Sequence, residues 1–185
     1  RHSFAINIDY RYGRANDYNG PRINDVKLFE GMGINILTNV YSGSPYSAQT
    51  NITDEGHFNP QYAGLSGTLN GSRLPWTYRL DLQIDRVIPL KVGKKQEGQD
   101  DKRKQVYLQV YLRVTNLLNQ MNIINVYRAT GNWNDDGYLE AAQYQLAIQS
   151  QLDQAAYRDF YTMKIQNASN ISMPRQIRLG VKFDF

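Results

Sequence analysis

The chain has 185 residues and a net charge of +4 at neutral pH, from 21 Lys and Arg against 17 Asp and Glu. It contains no cysteine, which excludes a disulfide framework, thiol catalysis and a cysteine-ligated zinc site. There are only two histidines, which argues against a catalytic or metal site built on several histidines. The net charge is small and the sequence has no long run of basic residues, so we expect no nucleic-acid partner.

Five segments alternate between apolar and polar residues, which predicts β-strands with two unlike faces. In chain order they cover residues 3–12, 26–43, 76–85, 106–127 and 177–185. The alternation slips at Asn116-Leu-Leu-Asn119 in the fourth segment. We interpret this slip as a bulge within one long strand that continues to Tyr127.

One face of these strands carries ionised side chains. Its members include Arg79, Asp81, Asp85, Arg113, Arg178, Lys182 and Asp184. Ionised groups are rarely buried without partners, so this face must meet water. Two environments fit: a soluble antiparallel sheet packed on a core, or a membrane barrel with lipid outside and water inside. In a barrel, we expect Arg79, Asp81, Asp85 and Arg113 to face the lumen.

The lengths of the connections favour the barrel. Residues 44–75 and 129–174 are long, polar connections, whereas 13–25 and the charged 91–104 are shorter. Outer-membrane barrels alternate long extracellular loops with short periplasmic turns. About eight strands are the fewest that close a membrane barrel, so we expect five strands to be a portion of a larger one.

Four stretches resemble the C-terminal end of TonB-dependent outer-membrane receptors. They are Ser42-Gly-Ser-Pro-Tyr46, residues 73–82 from Arg73 to Leu82, Val114-Thr-Asn-Leu-Leu-Asn119, and residues 174–185 from Pro174 to Phe185. Residues 123–131 and Asp135-Asp-Gly-Tyr-Leu139 resemble the Bacteroidota type of this family, in its carboxypeptidase-regulatory-domain-like or SusC-like branch.

The resemblance implies an all-β fold in the bacterial outer membrane. Residues 1–185 would be the terminal five or so strands of a roughly 22-stranded barrel, without its plug and earlier strands. Loops 44–75 and 129–174 would be extracellular. The implied partners are outer-membrane lipid, the remainder of the barrel, the TonB system acting through the plug, and a surface lipoprotein over the loops. The resemblance implies no enzyme activity, catalytic residue or cofactor.

The last strand resembles the signal by which outer-membrane barrels are recognised for assembly. Its apolar residues alternate up to a terminal phenylalanine; they are Leu179, Val181, Phe183 and Phe185. An ordinary amphipathic terminal strand is the alternative interpretation.

Residues 132–137 resemble half of a calcium-binding loop. Asn132, Asn134 and Asp136 supply oxygens at the first, third and fifth positions, and Gly137 follows at the sixth. The twelfth position holds Gln143 instead of the bidentate Glu. We therefore expect an Asx-rich turn that caps a helix, with calcium as a weak candidate. His57, beside Asp54 and Glu55, makes an even weaker metal candidate.

Residues 138–167 are predicted to be helical from the spacing of their apolar residues. Leu152, Ala156, Phe160 and Tyr161 would supply an apolar side to a lid or docking surface.

Three functions remain open from the sequence. The first is transport, in which the barrel wall and the extracellular loops bind and admit a nutrient. The second is a receptor-like barrel that serves as a structural subunit of an outer-membrane assembly or secretion complex. The third is a soluble β-sandwich that binds a ligand.

Overall fold

A computed structural model describes residues 2–24, 26–52, 64–93 and 104–185. Of these residues, 42% lie in strands and 16% in helices. The chain divides into two compact units. The sheet unit comprises Phe4–Asn39, Arg79–Gln120 and Pro174–Phe185, and the loop unit comprises Arg1–Ser3, Val40–Tyr78 and Met121–Met173.

The strands in the described ranges are numbered in chain order. They are β1 Ser3–Arg11, β2 Arg22–Ile23, β3 Val26–Lys27, β4 Met32–Tyr41, β5 Pro45–Tyr46, β6 Ser72–Arg73, β7 Thr77–Val92, β8 Lys104–Thr115 and β9 Gln176–Asp184. The five long strands form one sheet in the order β1-β4-β7-β8-β9, and the four short strands form two hairpins. The prediction of five strands is therefore confirmed, but no closed barrel is formed within the described residues.

The register of the sheet keeps the two faces apart. β7 and β8 pair antiparallel with Ile84 opposite Leu112, and β9 then places Leu179 opposite Leu112. One position along, Arg113 lies opposite Gln83 on β7 and Arg178 on β9. Since side chains that pair across strands lie on the same face, these rows place apolar residues on one face of the sheet and polar residues on the other. The register also contains mixed pairs, such as Arg86 opposite Val110 and Val87 opposite Gln109.

The predicted continuation of β8 to Tyr127 is wrong. β8 ends at Thr115, and Asn116 and Asn119 both adopt left-handed backbone conformations, with φ of 56° and 52°. Asparagine tolerates this conformation better than most residues. The Asn116 side chain also accepts a hydrogen bond from Gln120 N and donates one to Gln120 O, which closes a turn instead of a bulge.

Two other strand boundaries differ from the prediction. The segment 26–43 is divided, because β3 pairs with β2 as a hairpin and β4 begins only after Gly31, whose φ is 67°. β7 runs beyond residue 85 to Val92 because it continues to pair with β8. The alternation in the sequence fails at Arg86 and Val87, where the polarity of the two faces is reversed.

The prediction of helix over residues 138–167 is confirmed in part, because the loop unit forms α1 Gln145–Gln149 and α2 Gln154–Ile165. Residues 138–141 and 150–153 are not helical. Asp153 caps α2, since its Oδ1 accepts a hydrogen bond from Ala156 N at 2.9 Å. Ile148 and Ile165 are buried, whereas Leu152 and Phe160 are exposed. None of the helices in the described part of the chain is long and apolar enough to cross a membrane.

Candidate functional site

The polar face of the sheet brings the four predicted lumen-facing residues together. Arg79, Asp81 and Asp85 occupy alternate positions of β7, and Arg113 of β8 lies opposite Gln83 in the same row. Their common face is therefore a structural fact, while its exposure to a lumen stays a prediction.

Asp85 is the most deeply buried ionisable residue of this face, with 1% of its surface exposed. Its Oδ2 accepts hydrogen bonds from Arg11 Nη1 at 3.3 Å and from Gln109 Nε2 at 3.2 Å. Its Oδ1 has no hydrogen-bond partner in the described residues. Arg11 also contacts Asp9 at 3.1 Å, so one arginine serves two carboxylates.

Gly33 of β4 makes room for this cluster. A Cβ at this position would lie 3.0 Å from Arg11 Nη1 and 3.2 Å from Asp85 Oδ1. The lack of a side chain thus lets a carboxylate from β7 and a guanidinium from β1 meet above β4. A buried carboxylate is strongly unfavourable without such a partner. Sequence reasoning missed Arg11 and Gln109, although both lie on polar positions of alternating strands.

A second polar cluster fixes the end of β8. Asp81 pairs with Arg79, with a distance of 2.6 Å between Oδ2 and Nη2. The same carboxylate accepts a hydrogen bond from Asn116 N at 2.9 Å through Oδ1. The first residue of the Asn-Leu-Leu-Asn motif is therefore tied to β7. Its last residue, Asn119, accepts a hydrogen bond from Arg175 N at 2.9 Å, immediately before β9.

The opposite face of the sheet exposes continuous rows of apolar side chains. On β1, Phe4 is 58% exposed, and the other members of its row are also exposed. On β9, Leu179 is 75% exposed, and the remaining residues of the predicted assembly signal, Val181, Phe183 and Phe185, are exposed as well. Nothing in the described residues covers these two rows. The role of the β9 row in assembly stays a prediction.

Two of the stretches that resemble the receptor family, Ser42–Tyr46 and the one that begins at Arg73, pair with each other in the loop unit. β5 pairs with β6, and Leu74 N donates a hydrogen bond to Ser44 O at 3.0 Å. Gly43 is buried so close to the residue that follows β6 that a Cβ would lie 1.6 Å from Leu74 O. A backbone oxygen cannot move aside as a flexible side chain can. Glycine at this position is therefore a packing requirement.

Asp136 of the calcium-like loop has a structural use. It is 2% exposed, and its two oxygens accept hydrogen bonds from Tyr138 N at 3.0 Å and from the Tyr161 hydroxyl at 2.5 Å. The Tyr138 ring stacks on that of Tyr161 with centroids 4.7 Å apart. Asn132 is exposed and Asn134 half-buried.

This geometry has the Asx turn that the sequence predicted, but the turn precedes the helices instead of capping one. In the described ranges, no group of three or more His, Cys, Asp or Glu could hold a metal ion. Calcium at Asn132, Asn134 and Asp136 stays a weak prediction. His57 and the charged residues 94–103 lie outside the described residues.

The polar face is suited to binding and orienting charged solutes. Its charged groups come from several strands of a single sheet, so their spacing is set by backbone hydrogen bonds. Comparisons with family models, curated proteins and solved structures gave no match.

Proposed function

We propose that this chain is part of the wall of an outer-membrane barrel of the TonB-dependent receptor type, which admits a nutrient. The observation that carries the proposal is the exposed apolar face of β1 and β9, directly behind a face of ionised side chains. Large apolar patches are rare on soluble monomers. Lipid would cover this face, and a water-filled lumen would solvate the other.

Strand length and sheet edges support the same proposal. The five long strands have between 9 and 16 residues, and a tilted membrane strand needs about 9–11. β1 and β9 are the edges of the sheet. Lipid does not tolerate unpaired strand edges, so further strands of the same barrel would pair with them.

In this proposal the wall performs no chemistry and needs no cofactor. The polar face lines the passage of the nutrient, and energy comes from the TonB system acting on a plug. Residues 44–75 and 129–174 lie outside the cell, where they contribute to nutrient capture.

Localisation and heat-modifiability test the barrel. The full protein containing this chain should sediment with outer membranes and resist extraction by urea. Without boiling it should migrate faster in SDS gels than after boiling, because closed barrels resist SDS. A folded, monodisperse product without detergent would overturn the proposal and favour the soluble β-sandwich. Uptake is tested separately, by loss of growth on a nutrient when the protein or TonB is removed.

A structural subunit of an outer-membrane complex is the second candidate. The observation that favours it is a set of exposed apolar side chains on α1, α2 and their connection: Leu146, Leu152, Phe160 and Met163. Exposed apolar side chains on these helices would suit contact with a surface lipoprotein held over the loops. A scaffold predicts that a Leu152→Asp, Phe160→Asp variant loses a co-purifying lipoprotein, while removal of TonB changes no uptake.

A further inference from the structure

Two arginines lie directly opposite each other across β8 and β9. Arg113 and Arg178 are register partners in the antiparallel pair, and both are exposed. Directly opposed residues have Cβ atoms about 4.5–5.5 Å apart, and like charges at this spacing destabilise a sheet. The sheet therefore holds two positive charges together at a cost to its stability.

Neither arginine is neutralised by a carboxylate in the described part of the chain. Arg113 Nε and Nη2 donate to Gln83 Oε1 at 3.0 and 2.8 Å, and Arg178 Nη2 donates to Gln176 Oε1 at 3.0 Å. The nearby Asp81 attracts Arg113 electrostatically, but its oxygens are bonded by Arg79 and by Asn116 N.

Other basic residues of the same face have carboxylate partners. Arg11 contacts Asp9 and Asp85, Arg79 contacts Asp81, and Lys182 contacts Asp184 at 3.0 Å. Each has a carboxylate within ion-pair distance. The opposed arginines instead contact the oxygens of neutral amides, which orient a guanidinium without cancelling its charge.

The neighbouring row adds a hydroxyl donor. Tyr111 lies opposite Gly180, and a Cβ on Gly180 would be 2.4 Å from Tyr111 Cζ and Oη. The phenol therefore lies over Gly180, two residues along β9 from Arg178. Within the described residues, the Tyr111 hydroxyl makes no hydrogen bond, so it can donate to a ligand.

We propose that Arg113 and Arg178 form an oxyanion-binding site that takes a carboxylate- or phosphate-bearing solute. Guanidinium groups bind the oxygens of either anion in bidentate geometry. The two glutamines hold the guanidinium groups in place before the anion arrives, and Tyr111 adds a third donor. That the site acts as a subsite on a transport path rests on the proposed function; anion binding itself does not.

Calorimetric titration of the purified full protein tests the site, with inorganic phosphate and citrate as probes at low ionic strength. We expect at least one probe to bind, and higher salt to weaken binding because the charges are exposed. An Arg113→Gln, Arg178→Gln variant should bind about tenfold more weakly or worse. Lys182→Gln, which removes a paired cation from the same strand face, is the matched control.

Stability separates a binding role from a structural one. The double variant relieves the like-charge repulsion, so its unfolding midpoint should equal or exceed that of the wild type. Weaker binding together with an unchanged or raised midpoint supports the site. Absence of binding of both probes to the wild type overturns it, as does equal binding by wild type and double variant. If the double variant unfolds, the single variant Arg178→Gln is compared with the wild type instead. Weaker binding by this folded variant supports the site, and equal binding overturns it.

The two proposals fail independently. If the protein is found in the outer membrane but binds neither probe, the oxyanion site is overturned and the barrel proposal stands. Arginine-dependent binding by a protein that is soluble without detergent supports the site and overturns the barrel. Phosphate and citrate titrations identify which of the two anion classes the solute carries.

Discussion

Gly33 lies directly beneath the ion pair of Arg11 and Asp85, where any side chain would crowd both groups. A Cβ there would be 3.0 Å from the guanidinium and 3.2 Å from the carboxylate. Glycine is unfavourable in a strand interior on its own account. Its presence here follows from the polar groups that converge from β1 and β7.

We predict that Gly33→Val destabilises the protein by about 1–3 kcal/mol through overpacking. Strand propensity alone would favour valine, so the expected sign is opposite to that of propensity. Urea unfolding of the full protein in detergent, followed by circular dichroism, measures the change. In an Asp85→Ala background the penalty should shrink, because the space is vacated. Equal penalties in both backgrounds would show that residues 33 and 85 do not interact.

Asn116 combines a left-handed backbone with buried hydrogen bonds. We predict that Asn116→Gly lowers the free energy of unfolding by about 1–3 kcal/mol, because the hydrogen bonds to Gln120 are lost. The backbone stays unstrained, since glycine adopts positive φ readily. Asn116→Ala should cost about 1 kcal/mol more, since a Cβ is strained in this conformation. Thermal unfolding compares the two variants with Leu118→Ala, a change at an exposed position of the same turn. Equal stability of the alanine and glycine variants would contradict the strain argument.

The Tyr161 hydroxyl donates to the buried Asp136 carboxylate. We predict that Tyr161→Phe destabilises the loop unit by about 1–3 kcal/mol, because one carboxylate oxygen loses its donor while staying buried. Hydrogen exchange of the α2 backbone amides should be faster in the variant. Tyr157→Phe is the control, since among the described residues its hydroxyl makes only a long 3.4 Å contact with the Tyr138 hydroxyl. Faster exchange in the control than in Tyr161→Phe would refute the role of Asp136.

Leu179 distinguishes lipid from water at the apolar face. We predict that Leu179→Arg destabilises the protein by about 2–4 kcal/mol, as expected for a charge near the middle of a membrane. In a soluble sheet the same change at a 75% exposed position would have little effect. Folding yield into lipid vesicles and urea unfolding measure the cost. Lys182→Arg, on the other face of β9, should behave like the wild type.

The two faces of the sheet could be predicted from the sequence. In a strand each residue's side is fixed by its parity, so Leu112 and Arg113 must point to opposite faces whatever the neighbouring strand is. The same argument identified five long strands, and helical spacing identified the segment that forms α1 and α2. Polarity contradicts parity at Arg86 and Val87 of β7, and also at Leu37 and Thr38 of β4.

The partners of each side chain were decided by tertiary structure. Parity does not say that Asp85 meets Arg11 above Gly33, or that Arg113 faces Arg178, because those meetings depend on strand order and register. The alternating pattern also did not predict the end of β8, since Asn116 closes its turn through hydrogen bonds to Gln120 and Asp81. Local periodicity determines which face a residue occupies, and long-range hydrogen bonding determines which charges share that face.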